Sequence, residues 1–332
     1  MRIEDVAREA GVSPITVSRA LSSPEKVRTE TRQRVLDAVE KTGYVVNSIA
    51  SSLRSGRSSI VTVFVSSLLN PHLAAAIQGA LDAFEGSRYR LMFAQTGLTE
   101  GVKAEIVELI RPFSPAAVMF VAIPVLGAAR DRLRATGVPV MEVWGGEVPV
   151  DMAEGASIAD GARLMGAHFA RQGYRHIAYC GLTRTPGGAG LEGFRAGLEA
   201  GGAALGHVLS FEGSASLASG IAAFHQIRAS YPQCDAIYFG SDLLAVGAQL
   251  AARASGLVLP ADMAMAGYGD LDFAAHATPP LTTIEVSDYE TGRRAGQALR
   301  TRLEGGTPSG PVIQVPMRLI VRDSTPLRLT KK

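Results

Sequence analysis

Gly11-Val12-Ser13-Pro14-Ile15-Thr16-Val17-Ser18-Arg19-Ala20-Leu21 reads as a tight turn running into a short helix, and the rest of the chain can be laid out from it. Ser13 offers a side-chain oxygen to the free N–H groups of a helix start. Pro14 falls at the first helical position, where its missing N–H costs nothing and its fixed φ is already helical. Just upstream, Ile3, Val6, Ala7 and Ala10 repeat at i, i+3, i+4 and i+7, the apolar stripe of a first helix of about two turns. Val17, Ala20 and Leu21 face inward on the second helix, which leaves Pro14, Ile15, Thr16, Ser18 and Arg19 on its outer face and N-terminal end. Two helices across a glycine turn, the second with such a face, are the arrangement that lays a helix in the major groove of DNA. Pro14 and Ile15 bring no donor to a base edge, so a thymine methyl is what they can touch. Arg19 can grip guanine with two parallel bonds, and Thr16 and Ser18 suit phosphate.

The run Ile3-Glu4-Asp5-Val6-Ala7-Arg8-Glu9-Ala10-Gly11-Val12-Ser13, then Thr16-Val17-Ser18-Arg19, Thr31-Arg32, Gly43-Tyr44 and Asn47, resembles the headpiece of the lactose/galactose-repressor family of bacterial transcription regulators. A third helix is expected over Thr31 to Lys41 with Val35, Leu36 and Val39 inward. The segment from Asn47 to Arg57 is too short and too rich in serine to hold a helix alone, so by composition it is a linker. The resemblance implies more: a hinge carrying Asn47 that turns helical when two copies pack on operator DNA. Ala50 would let the hinges approach, and Leu53 would wedge between base pairs in the minor groove.

Composition bounds the remainder. At 332 residues and 47% hydrophobic content the chain is long enough for two or three domains with sizeable cores. The formal net charge is +2, but residues 1–60 hold 10 basic against 7 acidic side chains, leaving 23 against 24 for the rest. That modest frontal excess agrees with a nucleic-acid partner without demanding one. Cys180 and Cys234 stand far apart with no ligand spacing around them, and both read as buried thiols in a reducing cytosol. The chain opens on a polar amphipathic helix, and no uninterrupted apolar run approaches about 18 residues, which predicts a cytoplasmic protein with no membrane partner.

From Ile60 onward apolar strands and amphipathic helices alternate. Strands are expected at Ile60–Val65, Arg90–Ala94, Ala116–Val121 and Pro139–Val143, then at Ile177–Cys180, Val208–Phe211, Ala236–Phe239 and Met263–Ala266. Alternation of this kind builds parallel sheets covered on both faces. The tail supplies a helix at Asp288–Leu303 and a long strand at Val312–Ile320. The fold class expected is α/β: an all-α helix-turn-helix headpiece and hinge, then two Rossmann-like parallel-sheet lobes of the periplasmic-binding-protein type. In residue numbers that is a headpiece at 1–45, a hinge at 46–58 and a core at 59–332. The resemblance implies an N-lobe of 59–157 with 286–318 and a C-lobe of 158–285 with 319–332. Nothing like a leucine heptad follows Thr325, so a homodimer without an added coil is expected.

The chain offers one enzyme-like motif. Gly188-Ala189-Gly190-Leu191-Glu192-Gly193 is a literal G-x-G-x-x-G with Glu212 about 20 residues on, which would suit a nicotinamide-dependent oxidoreductase. Against that, several residues separate Cys180-Gly181 from Gly188, whereas the first glycine of such a fingerprint turns at the strand end itself; a cleft-edge loop is the plainer reading. The six histidines show neither i, i+4 pairing nor a cysteine partner, and no nucleophile elbow or Walker loop occurs. His168 reads as structural. No catalytic residue, metal site or cofactor is expected.

Ser219-Gly220-Ile221, Tyr231-Pro232-Gln233-Cys234-Asp235, Asp242 to Ala248 and Asp262 to Tyr268 resemble the gluconate-repressor branch of the family. That implies a repressor of sugar-acid genes controlled by a small molecule, gluconate or a related sugar acid, held between the lobes. An alternative is a stand-alone sugar-acid receptor. Many sugar-binding relatives carry an arginine, an aspartate and an aromatic ring where this chain has Gly190, Gly269 and Ala215. An arginine fork and a stacking ring suit a pyranose, so their joint loss favours an open-chain ligand. Candidate ligand contacts are His72, Glu142, Trp144, Arg184, Ser241, Asp242 and Asp270, chosen as polar or aromatic groups at strand ends and helix starts.

Overall fold

The computed structural model describes residues 2–22, 24–44, 58–96, 105–110, 113–145, 149–182, 188–211, 214–308, 310 and 312–328. The chain divides into a small unit, residues 1–58, and a large one, residues 59–332.

In the small unit α1 (Ile3–Ala10), α2 (Pro14–Ser22) and α3 (Thr29–Thr42) surround Val6, Ala7, Ala10, Val17, Ala20, Val35 and Ala38. Gly11 ends α1 in the left-handed region at φ 62°, where a β-carbon is disfavoured, and so turns the chain into α2. Ser13 Oγ accepts the Thr16 N–H at 3.2 Å. On α3 the buried positions are Val35 and Ala38, while Leu36, expected inward, is 39% exposed. The i, i+3 stripe thus runs through the smaller alanine, which lets α1 approach closely.

The large unit holds two parallel sheets. The first contains β1 (Ile60–Val65), β2 (Arg90–Gln95), β3 (Ala117–Val121), β4 (Val140–Val143), β5 (Met152–Gly155) and, from the tail, β11 (Val312–Gln314), ordered β11-β5-β4-β3-β1-β2. The crossovers include α4 (Pro71–Ala83), α5 (Glu105–Ile110) and α6 (Gly127–Thr136). The second sheet, ordered β7-β6-β8-β9, is built from β6 (Ile177–Leu182), β7 (Leu205–Phe211), β8 (Ala236–Phe239) and β9 (Ala264–Ala266). Its helices are α7 (Ile158–Gln172), α8 (Ala189–Ala200), α9 (Leu217–Ser230) and α10 (Asp242–Ala254). Strands buried on both faces read as continuous apolar runs, which is why Ala117–Val121 and Ala236–Phe239 are legible as strands.

After β10 (Thr283–Glu285), α11 (Asp288–Leu303) packs on α4, and β11 joins the first sheet beside β5. The chain then turns back as β12 (Arg318–Ile320), antiparallel to β10. The single long strand expected over Val312–Ile320 is therefore two short ones in different sheets. Pro316, which lacks an N–H for a ladder, sits in the break. Beyond it Tyr174 donates to the Pro326 carbonyl at 2.6 Å and the Met265 N–H to that of Ser324 at 3.2 Å, fastening the end of the chain to the second lobe.

The glycine run is not a loop. Gly188 precedes α8, and Gly190 and Gly193 are buried within it. A β-carbon on Gly193 would lie 2.1 Å from the Ala159 carbonyl oxygen, one on Gly197 2.2 Å from that of Arg163, and one on Gly166 2.2 Å from that of Phe194. These glycines let α7 and α8 cross with their backbones in contact. Glu212 lies outside the described residues.

Candidate functional site

Two surfaces carry the residues singled out by the sequence. On the small unit Pro14, Ile15 and Arg19 are exposed and Thr16 and Ser18 half-buried, all on the side of α2 away from its core. Ile15, at 70% exposure, is an aliphatic side chain held in water at a helix start. Thr16 Oγ1 lies 2.9 Å from Ser13 Oγ, so its hydroxyl is already oriented by the cap. Arg8, Arg28, Arg32 and Arg34 add exposed positive charge to this unit. Asn47, Ala50 and Leu53 lie outside the described residues.

The second surface is a cavity of about 190 Å³ between the lobes of the large unit. Its walls are the segments that leave the carboxyl ends of the strands, where open α/β sheets place ligands. Ser66 and Ser67 follow β1, Ala122 follows β3, Trp144 follows β4, Ser241 follows β8 and Tyr268 follows β9. Ala122, Trp144 and Asp270 hold φ of 54°, 52° and 52°, a left-handed conformation that costs a residue with a β-carbon about 1–3 kcal/mol. Strain gathered at strand ends around one cavity marks a preorganised site.

His72 enters from the start of α4. Asn70 Oδ1 accepts the His72 N–H at 3.0 Å and Pro71 opens the helix, which fixes the ring's direction. Its Nδ1 meets Asp288 Oδ2 at 2.6 Å, with the two side chains only 16% and 9% exposed. Burial pushes the Asp288 carboxyl above its ordinary range, and the imidazole beside it pulls the other way. The far edge of the ring lies on Gly269, where φ is 129° and a β-carbon would stand 2.1 Å from His72 Cε1. Tyr268 presents its ring edge-on at 6.4 Å between centroids. His72 Nε2, Asp288 Oδ1 and Trp144 Nε1 are buried with no hydrogen-bond partner among the described residues.

Of the seven residues expected to touch a ligand, His72, Trp144 and Ser241 line this cavity. Glu142, Asp242 and Asp270 do not, because their charge is spent inside the protein. Glu142 Oε1 accepts the Val150 N–H at 2.7 Å, and burial raises its carboxyl against that bond. Asp242 accepts from the Thr283 hydroxyl at 2.6 Å and the Leu271 N–H at 2.8 Å, and burial pushes its carboxyl up to about 6. Asp270 pairs with Arg322 at 2.7 Å. Arg184 lies outside the described residues. Sequence reasoning missed Asp288, Asn70, Tyr268 and the serines after β1; no local pattern announces them, since Asp288 stands 216 residues from the histidine it holds.

The remaining chemistry is structural. His168, 3% exposed, meets Thr325 Oγ1 at 2.8 Å. Thr325 donates in turn to Thr282 Oγ1 at 2.7 Å, so His168 Nε2 carries the hydrogen. Among the described residues no three His, Cys, Asp or Glu side chains gather where a metal ion could sit. No helix there is long and apolar enough to cross a membrane.

Residues 2–47 match the family described as bacterial regulatory proteins, lacI family, and residues 167–325 match the periplasmic binding protein-like domain. The chain is 29% identical over 308 residues to the HTH-type transcriptional regulator GntR of Escherichia coli K12, covering 91% of this chain and 92% of that one. A LacI-family transcriptional regulator from Silicibacter pomeroyi superposes with a TM-score of 0.89 at 26% identity, over 98% of this chain and 99% of the other. The lac repressor dimer bound to operator and the anti-inducer ONPF superposes at 0.82 with 25% identity, over 98% and 99%.

Proposed function

The chain belongs to the lacI family of bacterial regulatory proteins, and from that premise we propose that it is a cytoplasmic, homodimeric repressor of sugar-acid genes, released from or driven onto its operator by a sugar acid in the interlobe cavity. It is a DNA-binding transcriptional regulator. Pro14, Ile15 and Arg19 read base edges in the major groove, with Thr16 and Ser18 on the phosphates. Asn47, Ala50 and Leu53 form the hinge contacts of the paired subunits. The small molecule acts by favouring one arrangement of the lobes, and so one separation of the two headpieces. No residue is assigned a catalytic role.

The observation that carries this reading is the pairing, in one chain, of a capped helix holding Ile15 out in water with a cavity at the strand ends into which His72 and Asp288 bring unpartnered polar atoms. The sugar-acid class rests on the likeness to regulators named GntR and on Ala215, which lines the cavity where a stacking ring would suit a pyranose. A gel-shift titration on the duplex upstream of its own gene tests the first part, with binding expected to fall steeply with salt. A thermal-shift screen of D-gluconate, ketogluconates, phosphogluconate and neutral hexoses tests the second, since a ligand bound only by the folded chain raises its unfolding midpoint. Indifference to that duplex at every metabolite and salt concentration refutes the reading.

A further inference from the structure

The His72–Asp288 pair has more hydrogen-bonding capacity than the protein uses. Asp288 sits first on α11 and His72 second on α4, and the packing of those helices brings the two together at the cavity wall. Nδ1 faces Asp288 Oδ2 at 2.6 Å, and the tautomer that donates there leaves Nε2 as a lone-pair acceptor. Asp288 Oδ1 is a second acceptor. Both atoms are buried and neither has a partner among the described residues. A buried polar atom left unpaired is a debt that an incoming donor can settle. Neighbouring charge does not answer it. Asp242 is bonded to Thr283 and Leu271, and Asp270 is held by Arg322. No lysine or arginine is found among the described residues lining the cavity.

Two acceptors on one rigid pair call for two donors on one ligand. We propose that His72 and Asp288 read a polyol, with one ligand hydroxyl donating to Asp288 Oδ1 and another, further along the carbon chain, to His72 Nε2. This rests on the sugar-acid reading and adds an orientation to it: the polyol end of the ligand enters at the seam between His72 and Gly269. The carboxylate, which two acceptors repel, points away toward the opposite wall. Because the ring edge lies against Gly269 of the second lobe, hydroxyls can reach Nε2 only as ring and loop part. Filling the site therefore acts on the contact between lobes.

Trp144 is the chain's single tryptophan and lines the cavity, so its fluorescence reports occupancy in the unmodified full-length protein. The experiment titrates wild type, Asp288→Asn and His72→Gln with D-gluconate and with hexanoate, which has the carboxylate and carbon chain but no hydroxyls. Unfolding midpoints establish that each variant is folded, and either variant alone suffices. D-gluconate is expected to bind the variants about tenfold more weakly than wild type, as for loss of a bond to a charged or buried partner. Hexanoate is expected to bind wild type at least about tenfold more weakly than D-gluconate, and no better than it binds the variants. Loss of less than about fivefold in D-gluconate affinity in a folded variant overturns the proposal while leaving the sugar-acid reading intact. So does hexanoate binding as tight as that of D-gluconate. Failure of D-gluconate to bind wild type at all overturns both.

Discussion

Replacing Gly193 by alanine decides whether the G-x-G-x-x-G run serves packing or phosphate. The new methyl carbon would lie 2.1 Å from the Ala159 carbonyl oxygen and 2.7 Å from Ala159 Cα, both backbone atoms of α7 that no rotamer change can remove. Carbon–oxygen contacts that close do not occur, so α7 and α8 must open by about 1 Å, a gap that forfeits a quarter to a half of the dispersion energy across the seam. Overpacking of this kind costs about 1–3 kcal/mol, and the backbone origin of the clash puts Gly193 at the upper end. Alanine recovers about 1 kcal/mol through its helix propensity, for a net loss of about 2 kcal/mol. On the scale of a domain this size the unfolding midpoint should fall by about 4–8 °C, read by calorimetry. A phosphate-cradling run would behave otherwise, because its last glycine tolerates alanine. A midpoint equal to or above that of wild type would refute the packing account.

Arg19→Ala should weaken operator binding by about 1–3 kcal/mol and relax specificity at one base pair, without changing the unfolding midpoint or the sedimentation behaviour; undiminished binding in a gel-shift assay would remove Arg19 from the reading face. Asp242→Ala strips the partner from the Thr283 hydroxyl and the Leu271 N–H at once, and denaturant titration should show a loss of about 2–4 kcal/mol; a smaller loss would mean water replaces the carboxylate. Burial holds the His168 imidazole down at about 4 instead of 6.5, so between those values the unfolded chain binds a proton that the folded chain refuses, and stability falls as pH falls, by about 3 kcal/mol in full. Burial pushes Asp242 up to about 6 and Glu154 up to about 7, which works in the opposite sense, so the quantity to follow is the difference between wild type and His168→Gln, expected to shrink from pH 7 to pH 4; parallel curves would dismiss the linkage.

Local pattern made the headpiece and most of the alternating strands readable, because a two-turn helix and a buried strand write their periods into adjacent residues. What failed did so where a partner from far along the chain decides the outcome. Leu36 and Ala38 stand about 160° apart around the axis of α3, so only one of them can face the core, and α1 packs on the side of the alanine. The tail strand splits because residues on either side of Pro316 join different sheets. Glu142 lies one residue before the end of β4, Asp242 opens α10, and Asp270 lies in the segment after β9. A carboxylate there can equally face a ligand or pin the loop that shapes the site, and the sequence carries no mark of the difference. His72 was found for the same reason that Asp288 was missed: the turn after β1 is a local signal, and the contact from α11 is not.

The carboxylates that do not reach the cavity explain why the site can exist. Trp144 and Asp270 sit in a strained backbone conformation, and such strain persists only where the surroundings over-determine it. Asp270 is held by Arg322 of the returning tail, and Leu271 and Thr283 are tied together by Asp242. Trp144 is fixed through its N–H to the Glu154 carbonyl at 2.9 Å, on the strand that β11 joins. Each anchor of the cavity wall thus ends on an element that crosses between the lobes or borders one that does. A ligand that parts His72 from Gly269 has to move this frame rather than a free loop, and a frame shared by both lobes turns a local displacement into a change in how the lobes meet.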